Sequence, residues 1–129
     1  MNADAGQEFL QGITAGIIGC AYRVSNTLGA GFLEKVYENA LAVEMRRNGL
    51  AFTQQPSCLV RYREEIVGEY IPDLIVASSV IVEIKALDAL NRIHQAQCMN
   101  YLRATNLSVG LLLNFGNPRV EIKRLVWQF

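Results

Sequence analysis

Apolar residues recur at three- and four-residue steps over residues 12–27, through Ile13, Ile17, Cys20, Ala21 and Val24 and on to Leu28, the stripe a helix needs to bury one face. Gly29-Ala30-Gly31 ends that pattern. A second helical stripe runs through Leu33, Val36, Tyr37, Ala40, Leu41 and Val43 to a glycine stop at Asn48-Gly49, so the chain should open with a bent helical hairpin. From Ala51 the spacing shortens to two and β-formers take over. Three strands are expected in a meander, at about residues 57–62, 66–76 and 80–86, with a charged turn at Arg63-Glu64-Glu65 and a bulge or sheet edge at Pro72. Residues 91–104 return to helical spacing through Ile93, Ala96, Gln97, Met99, Tyr101 and Leu102. The almost unbroken apolar run over 108–115 predicts a strand buried on both faces, and after the Gly116-Asn117-Pro118 turn residues 120–129 alternate as a final strand. The order is ααβββαββ, an α/β fold with a mixed central sheet flanked by helices.

Length and composition narrow the class without naming a function. The 129 residues suit one domain spanning 1–129, burying about 65–70% of its unfolded surface. A content of 51% apolar and 19% charged residues excludes disordered and low-complexity classes. No apolar run approaches the ~20 residues of a membrane helix, and the segment from Met1 to Glu8 lacks the basic start of a secretory signal, so a cytoplasmic location is expected. Cys20, Cys58 and Cys98 are far apart, with His94 the one histidine, which reads as buried thiols and not as a zinc site.

The chemistry concentrates between Asp73 and Lys85. Alternation along Val80-Ile81-Val82-Glu83-Ile84-Lys85 puts Glu83 and Lys85 on one face and Val82 and Ile84 on the other. A hairpin turn at Ser78-Ser79 returns Asp73 toward Glu83. Taken alone, such a pair is often a solvated face, but these groups stand in apolar strands, where charges need partners or a metal. Two carboxylates about 4 Å apart repel by about 4 kcal/mol at an effective dielectric near 20. A hard divalent cation removes that cost, and magnesium takes one or two carboxylates, keeps waters and meets phosphate.

Pro72-Asp73 followed by Glu83-Ile84-Lys85 resembles the signature of the PD-(D/E)XK nuclease superfamily, and the predicted order of elements resembles its restriction-endonuclease-like core. Gly31-Phe32-Leu33-Glu34-Lys35-Val36-Tyr37 is similar to the G-x-x-E-x-x-Y pattern of a family of small bacterial proteins placed in that superfamily. Gln97-Cys98-Met99-Asn100-Tyr101 resembles the Q-x-x-x-Y pattern of nuclease domains related to those of bacterial helicase-nuclease complexes. The resemblance departs at Ser25, where a histidine is usual. It implies a nuclease dependent on Mg2+ or Mn2+, with the metal held by Asp73, Glu83, the Ile84 carbonyl and Glu34, and with Lys85 orienting or activating water. Glu34 otherwise reads as a first-turn carboxylate complementing the helix dipole. Gln97 and Tyr101 share a helix face, with His94 three residues before Gln97; all three could position substrate, while His94 also reads as a surface group at a helix start.

Twelve basic residues balance twelve acidic ones. With Glu34, Asp73 and Glu83 assigned to the site, nine acidic residues remain against twelve basic, which is modest for DNA, whose binding rests on several phosphate contacts. Arg92, Arg103, Lys123 and Arg124 are the candidate contacts. So little basic surface points to a homodimer or a partner protein. The expected function is hydrolysis of phosphodiester bonds, with DNA favoured as substrate; the alternative is a catalytically silent nucleic-acid-binding or protein-interaction module.

Overall fold

A computed structural model of the chain describes residues 3–128; Met1, Asn2 and Phe129, which the sequence places at the start and at the end of the last strand, lie outside the described residues. Two helices come first, α1 (Ala3–Leu28) and α2 (Glu34–Arg47). The link between them needs glycine, since Gly29 and Gly31 take φ of +67° and +114°. The Tyr37 hydroxyl fastens this link, donating to the Gly29 carbonyl at 2.6 Å and accepting from the Phe32 N–H at 3.2 Å. Its ring stacks on Phe115 in the core.

Seven strands and one helix follow: β1 (Phe52–Gln54), β2 (Cys58–Tyr62), β3 (Glu65–Tyr70), β4 (Leu74–Val76), β5 (Val80–Lys85), α3 (Arg92–Thr105), β6 (Val109–Asn114) and β7 (Glu121–Val126). Five strands form a mixed sheet in the order β1-β4-β5-β6-β7, with β5 and β6 parallel and the other pairs antiparallel. The parallel pair is joined through α3, as a crossover requires. The expected mixed α/β architecture is therefore present, with two differences in the strands.

The stretch expected as one strand over 66–76 is two strands in two sheets. Pro72 has no N–H to give a ladder, and the chain leaves its pairing at Ile71 to Asp73. The β2–β3 hairpin stands apart as its own sheet, and β4 joins the main one. Phe52–Gln54, too short to show a period, forms the edge strand β1 beside β4. The turn between β4 and β5 runs through positive φ at Ala77 and Ser78 and lets the Ser79 N–H reach the Val76 carbonyl at 3.0 Å.

The two faces of the sheet are covered differently. Val82, Ile84, Leu111 and Leu113 pack with Ile17, Ala21 and Val24 of α1 and Leu41 and Met45 of α2 in the principal core. The opposite face carries Ile81 and Leu112 under Cys98 and Leu102 of α3, all fully buried. Gly110 permits this approach, because a Cβ there would lie 2.7 Å from the Cys98 sulfur. No helix among the described residues is long and apolar enough to cross a membrane.

Candidate active site

The end of β1, the start of β4 and the body of β5 meet in one row. Gln54 pairs with Leu74 and Leu74 with Val82, so the residues one step further on, Gln55, Asp73 and Glu83, stand side by side across β1, β4 and β5. The register thus delivers the two carboxylates to the same place. They are interlocked through backbone: the Asp73 N–H donates to Glu83 Oε1 at 3.2 Å, and the Ile84 N–H donates to Asp73 Oδ2 at 2.7 Å. Together the two bonds fix one oxygen of each carboxylate.

Glu83 is 7% exposed and Asp73 half-buried. Burial, and next the neighbouring Asp73 charge, push the Glu83 carboxyl up to about 8, with the Asp73 N–H and Lys85 opposing. Burial also raises Asp73, against the Ile84 N–H and Lys85, while Glu38 and then Glu34 add to the rise. Desolvation is the larger cause in both, and neighbouring negative charge adds to it. Lys85 is half-buried, and neither Asp73 nor Glu83 forms an ion pair with it among the described residues.

The raised Glu83 sets a pH dependence. The folded protein holds this proton more tightly than the unfolded chain, whose carboxyl titrates near the ordinary 4.5, so the stability it contributes is complete below that pH and lost as pH rises toward about 8. Urea unfolding of metal-free protein at pH 5.5 and 8.5 should show the wild type losing about 3 kcal/mol more than Glu83→Gln over that interval. Equal losses in the two proteins would contradict it.

Helix α3 closes one side. Its N-cap Asn91 accepts from the Ile93 and His94 N–H groups, and His94 Nδ1 accepts from the Asn91 N–H at 3.2 Å, so the histidine completes a reciprocal cap. Tyr101 stacks on Tyr70 with ring centroids 3.9 Å apart, and the Tyr70 hydroxyl donates to the Tyr101 carbonyl at 2.8 Å. Burial raises the Tyr101 phenol, and Glu83 and then Asp73 add to the rise. Gln97 is exposed, and no hydrogen bond joins it to the carboxylates among the described residues. Cys98 lies on the buried face of α3, where burial and then Glu83 push its thiol up to about 12; it is a packing group and not a nucleophile at neutral pH.

Helix α2 supplies an acid one turn beyond the one the motif points to. Glu34 is exposed at the first turn, and its charge is the smallest of the named influences on Asp73. Glu38 is 3% exposed and accepts from Lys35 Nζ, Gln54 Nε2 and Gln55 Nε2. The signal was in the helix phase, since Glu38 lies in the stripe of Leu41, Ala42 and Met45, which are buried.

Asn114 is the other polar residue the pattern hid. Fully buried at the end of β6, its side chain accepts from the Leu87 and Gly116 N–H groups and donates to the Leu87 carbonyl and to Glu121. The Phe115 N–H adds a bond to the Lys85 carbonyl at 2.8 Å. The chain leaving Lys85 is therefore pinned to the end of the neighbouring strand. Ser25, at the position of the expected histidine, is also buried; its hydroxyl accepts from the Val120 N–H and donates to the Pro118 carbonyl, which ties α1 to the approach to β7. The candidate phosphate contacts Arg92, Arg103, Lys123 and Arg124 are all exposed, on α3 and β7.

The oxygen donors at Asp73 and Glu83, buried and mutually repelling, fit a hard divalent cation that keeps waters, as magnesium and manganese do. No group of three or more His, Cys, Asp or Glu placed to hold a metal ion occurs among the described residues. The family model described as the PD-(D/E)XK nuclease superfamily matches residues 11–125. No curated protein and no solved structure matches the chain.

Proposed function

The chain belongs to the PD-(D/E)XK nuclease superfamily, and from that premise we propose that it is a metal-dependent nuclease acting on DNA, with Asp73, Glu83 and Lys85 at its centre. The observation that carries this reading is the interlock of Asp73 and Glu83 through the Asp73 and Ile84 N–H groups, with Lys85 next on the strand. Within the superfamily, Gly31 to Tyr37 supports a place among the G-x-x-E-x-x-Y proteins.

Asp73 and Glu83 would hold Mg2+ or Mn2+, with the Ile84 carbonyl and Glu34, directly or through water, as further oxygen donors. Bound there, the cation supplies Lewis acidity toward a phosphodiester and offsets the charge of the two carboxylates. The backbone N–H bonds keep both carboxylates oriented before anything binds, which saves the ordering cost at that moment. Lys85 presents its ammonium to a non-bridging phosphate oxygen or to the attacking water, where it opposes the negative charge that builds in the transition state. Tyr101, protonated and stacked on Tyr70, donates a hydrogen bond to the substrate's phosphate. Gln97 and His94 lie on the same helix, and Gln97 is free to reach a bound strand. The balanced surface charge favours action as a homodimer or beside a partner protein in the cytoplasm.

Metal binding to the folded protein should raise its melting temperature by mass action, about 2.7 kcal/mol at a hundredfold excess over Kd. For a domain of this size that is roughly 10 °C. Differential scanning fluorimetry with Mg2+ and Mn2+ on the wild type and Asp73→Asn measures it. A rise in the wild type that Asp73→Asn loses is expected; no rise with either metal would overturn the metal site.

A further inference from the structure

The site contains a side chain that is poised against a metal-ligand candidate yet belongs to no recognised motif. Gln55 directly follows β1 in the left-handed region, with φ of +56°, although it is not glycine and precedes Pro56. Non-glycine residues hold that conformation at a cost of about 1 kcal/mol or more, and only where the surroundings impose it. Two contacts impose it here. Its backbone N–H donates to the Asp73 carbonyl at 2.8 Å, continuing the β1–β4 ladder, and its side chain lies between two carboxylates. Nε2 donates to Glu38 Oε1 at 2.9 Å and, more weakly, to Asp73 Oδ1 at 3.4 Å.

A carboxamide carries two donors on one nitrogen, so a single Gln55 can serve both acids. Glu38 is the fixed end of this bridge, 3% exposed and held by Lys35 and Gln54. Asp73, at the other end, is half-buried just before β4. Its Oδ2 is set by the Ile84 N–H, and Oδ1 is the oxygen the amide reaches.

We propose that Glu38 and Gln55 form a positioning pair that holds the Asp73 carboxylate in its metal-binding orientation, Glu38 acting through the Gln55 amide. The inference rests on the metal site proposed above. Gln55→Leu keeps the approximate volume and removes the donor; Gln55 itself is exposed, and the buried Glu38 keeps its bonds from Lys35 and Gln54. Metal titrations of the melting temperature and isothermal calorimetry should show the Mn2+ midpoint of Gln55→Leu raised about three- to tenfold, with the metal-free melting temperature within 2 °C of wild type as roughly expected of a surface change. At saturating Mn2+ the turnover should return close to wild type, so the loss falls on metal affinity and not on kcat. Gln55→Asn, which restores an amide on a shorter arm, should recover part of the affinity.

An unchanged midpoint in Gln55→Leu, with the wild type binding metal and Asp73→Asn not, would overturn the pair and leave the metal site standing. A loss of turnover that saturating metal does not restore would also overturn it, since positioning a ligand predicts recovery. Absence of metal binding by the wild type itself would overturn the metal site instead.

Discussion

Lys85→Ala should lower the rate of DNA cleavage at saturating metal by at least ~100-fold while leaving the metal-dependent rise in melting temperature in place. Removing one preorganised charge or donor aimed at the transition state typically costs two to three decades in rate. Lys85 is such a group: β5 fixes it two residues beyond Glu83 on the same face, and no carboxylate among the described residues engages it as an ion pair. Its backbone is anchored by the Phe115 N–H, so truncation removes the ammonium without freeing the strand. Loss of metal binding in this variant would show that Lys85 instead supports the carboxylates electrostatically. Unchanged cleavage would remove it from the mechanism.

Gly116→Ala should destabilise the fold by roughly 3 kcal/mol or more, a fall of about 10 °C in melting temperature for a domain of this size. A Cβ on Gly116 would lie 2.0 Å from the Leu87 carbonyl oxygen and 2.5 Å from the Leu87 nitrogen. These are backbone atoms held by Asn114, so no flexible side chain can yield. The segment that moves is the one leaving Lys85. Activity in Gly116→Ala should therefore fall even below its melting temperature, which cleavage assays on the folded fraction would measure. A variant as stable as the wild type would show that the chain between Lys85 and α3 is not pinned as the Asn114 bonds indicate.

Periodicity made the helices and the two innermost strands legible. Glu83 and Lys85 could be put on one face of β5 because alternation is a property of the strand alone, and the packing of Val82 and Ile84 into the principal core agrees with it. The run over 108–115 announced β6, buried along its whole length. What escaped depends on partners distant in the chain. β1 is three residues long, and only its pairing with β4 makes it a strand. The division of 66–76 follows from where Pro72 forces the chain to leave one sheet for another, which propensity does not state.

The site was legible in its motif residues and hidden in its supports. Asp73 and Glu83 meet, as the hairpin turn implied. Glu38 sat on the buried stripe of α2 but reads, without a tertiary partner, as an ordinary helix glutamate. Gln55 and Asn114 carry no pattern at all, because a bridging amide and a four-bond buried amide are defined by what surrounds them. His94 is the case in which local rules say more than the resemblance does: its ring completes the cap of α3 with Asn91.

The most direct test incubates the purified protein and its Asp73→Asn variant with end-labelled single- and double-stranded DNA in Mg2+ or Mn2+. Cleavage by the wild type that chelation abolishes and that Asp73→Asn lacks is the expected result. Cleavage that persists undiminished in Asp73→Asn, or salt-dependent DNA binding without any cleavage in either metal, would contradict it.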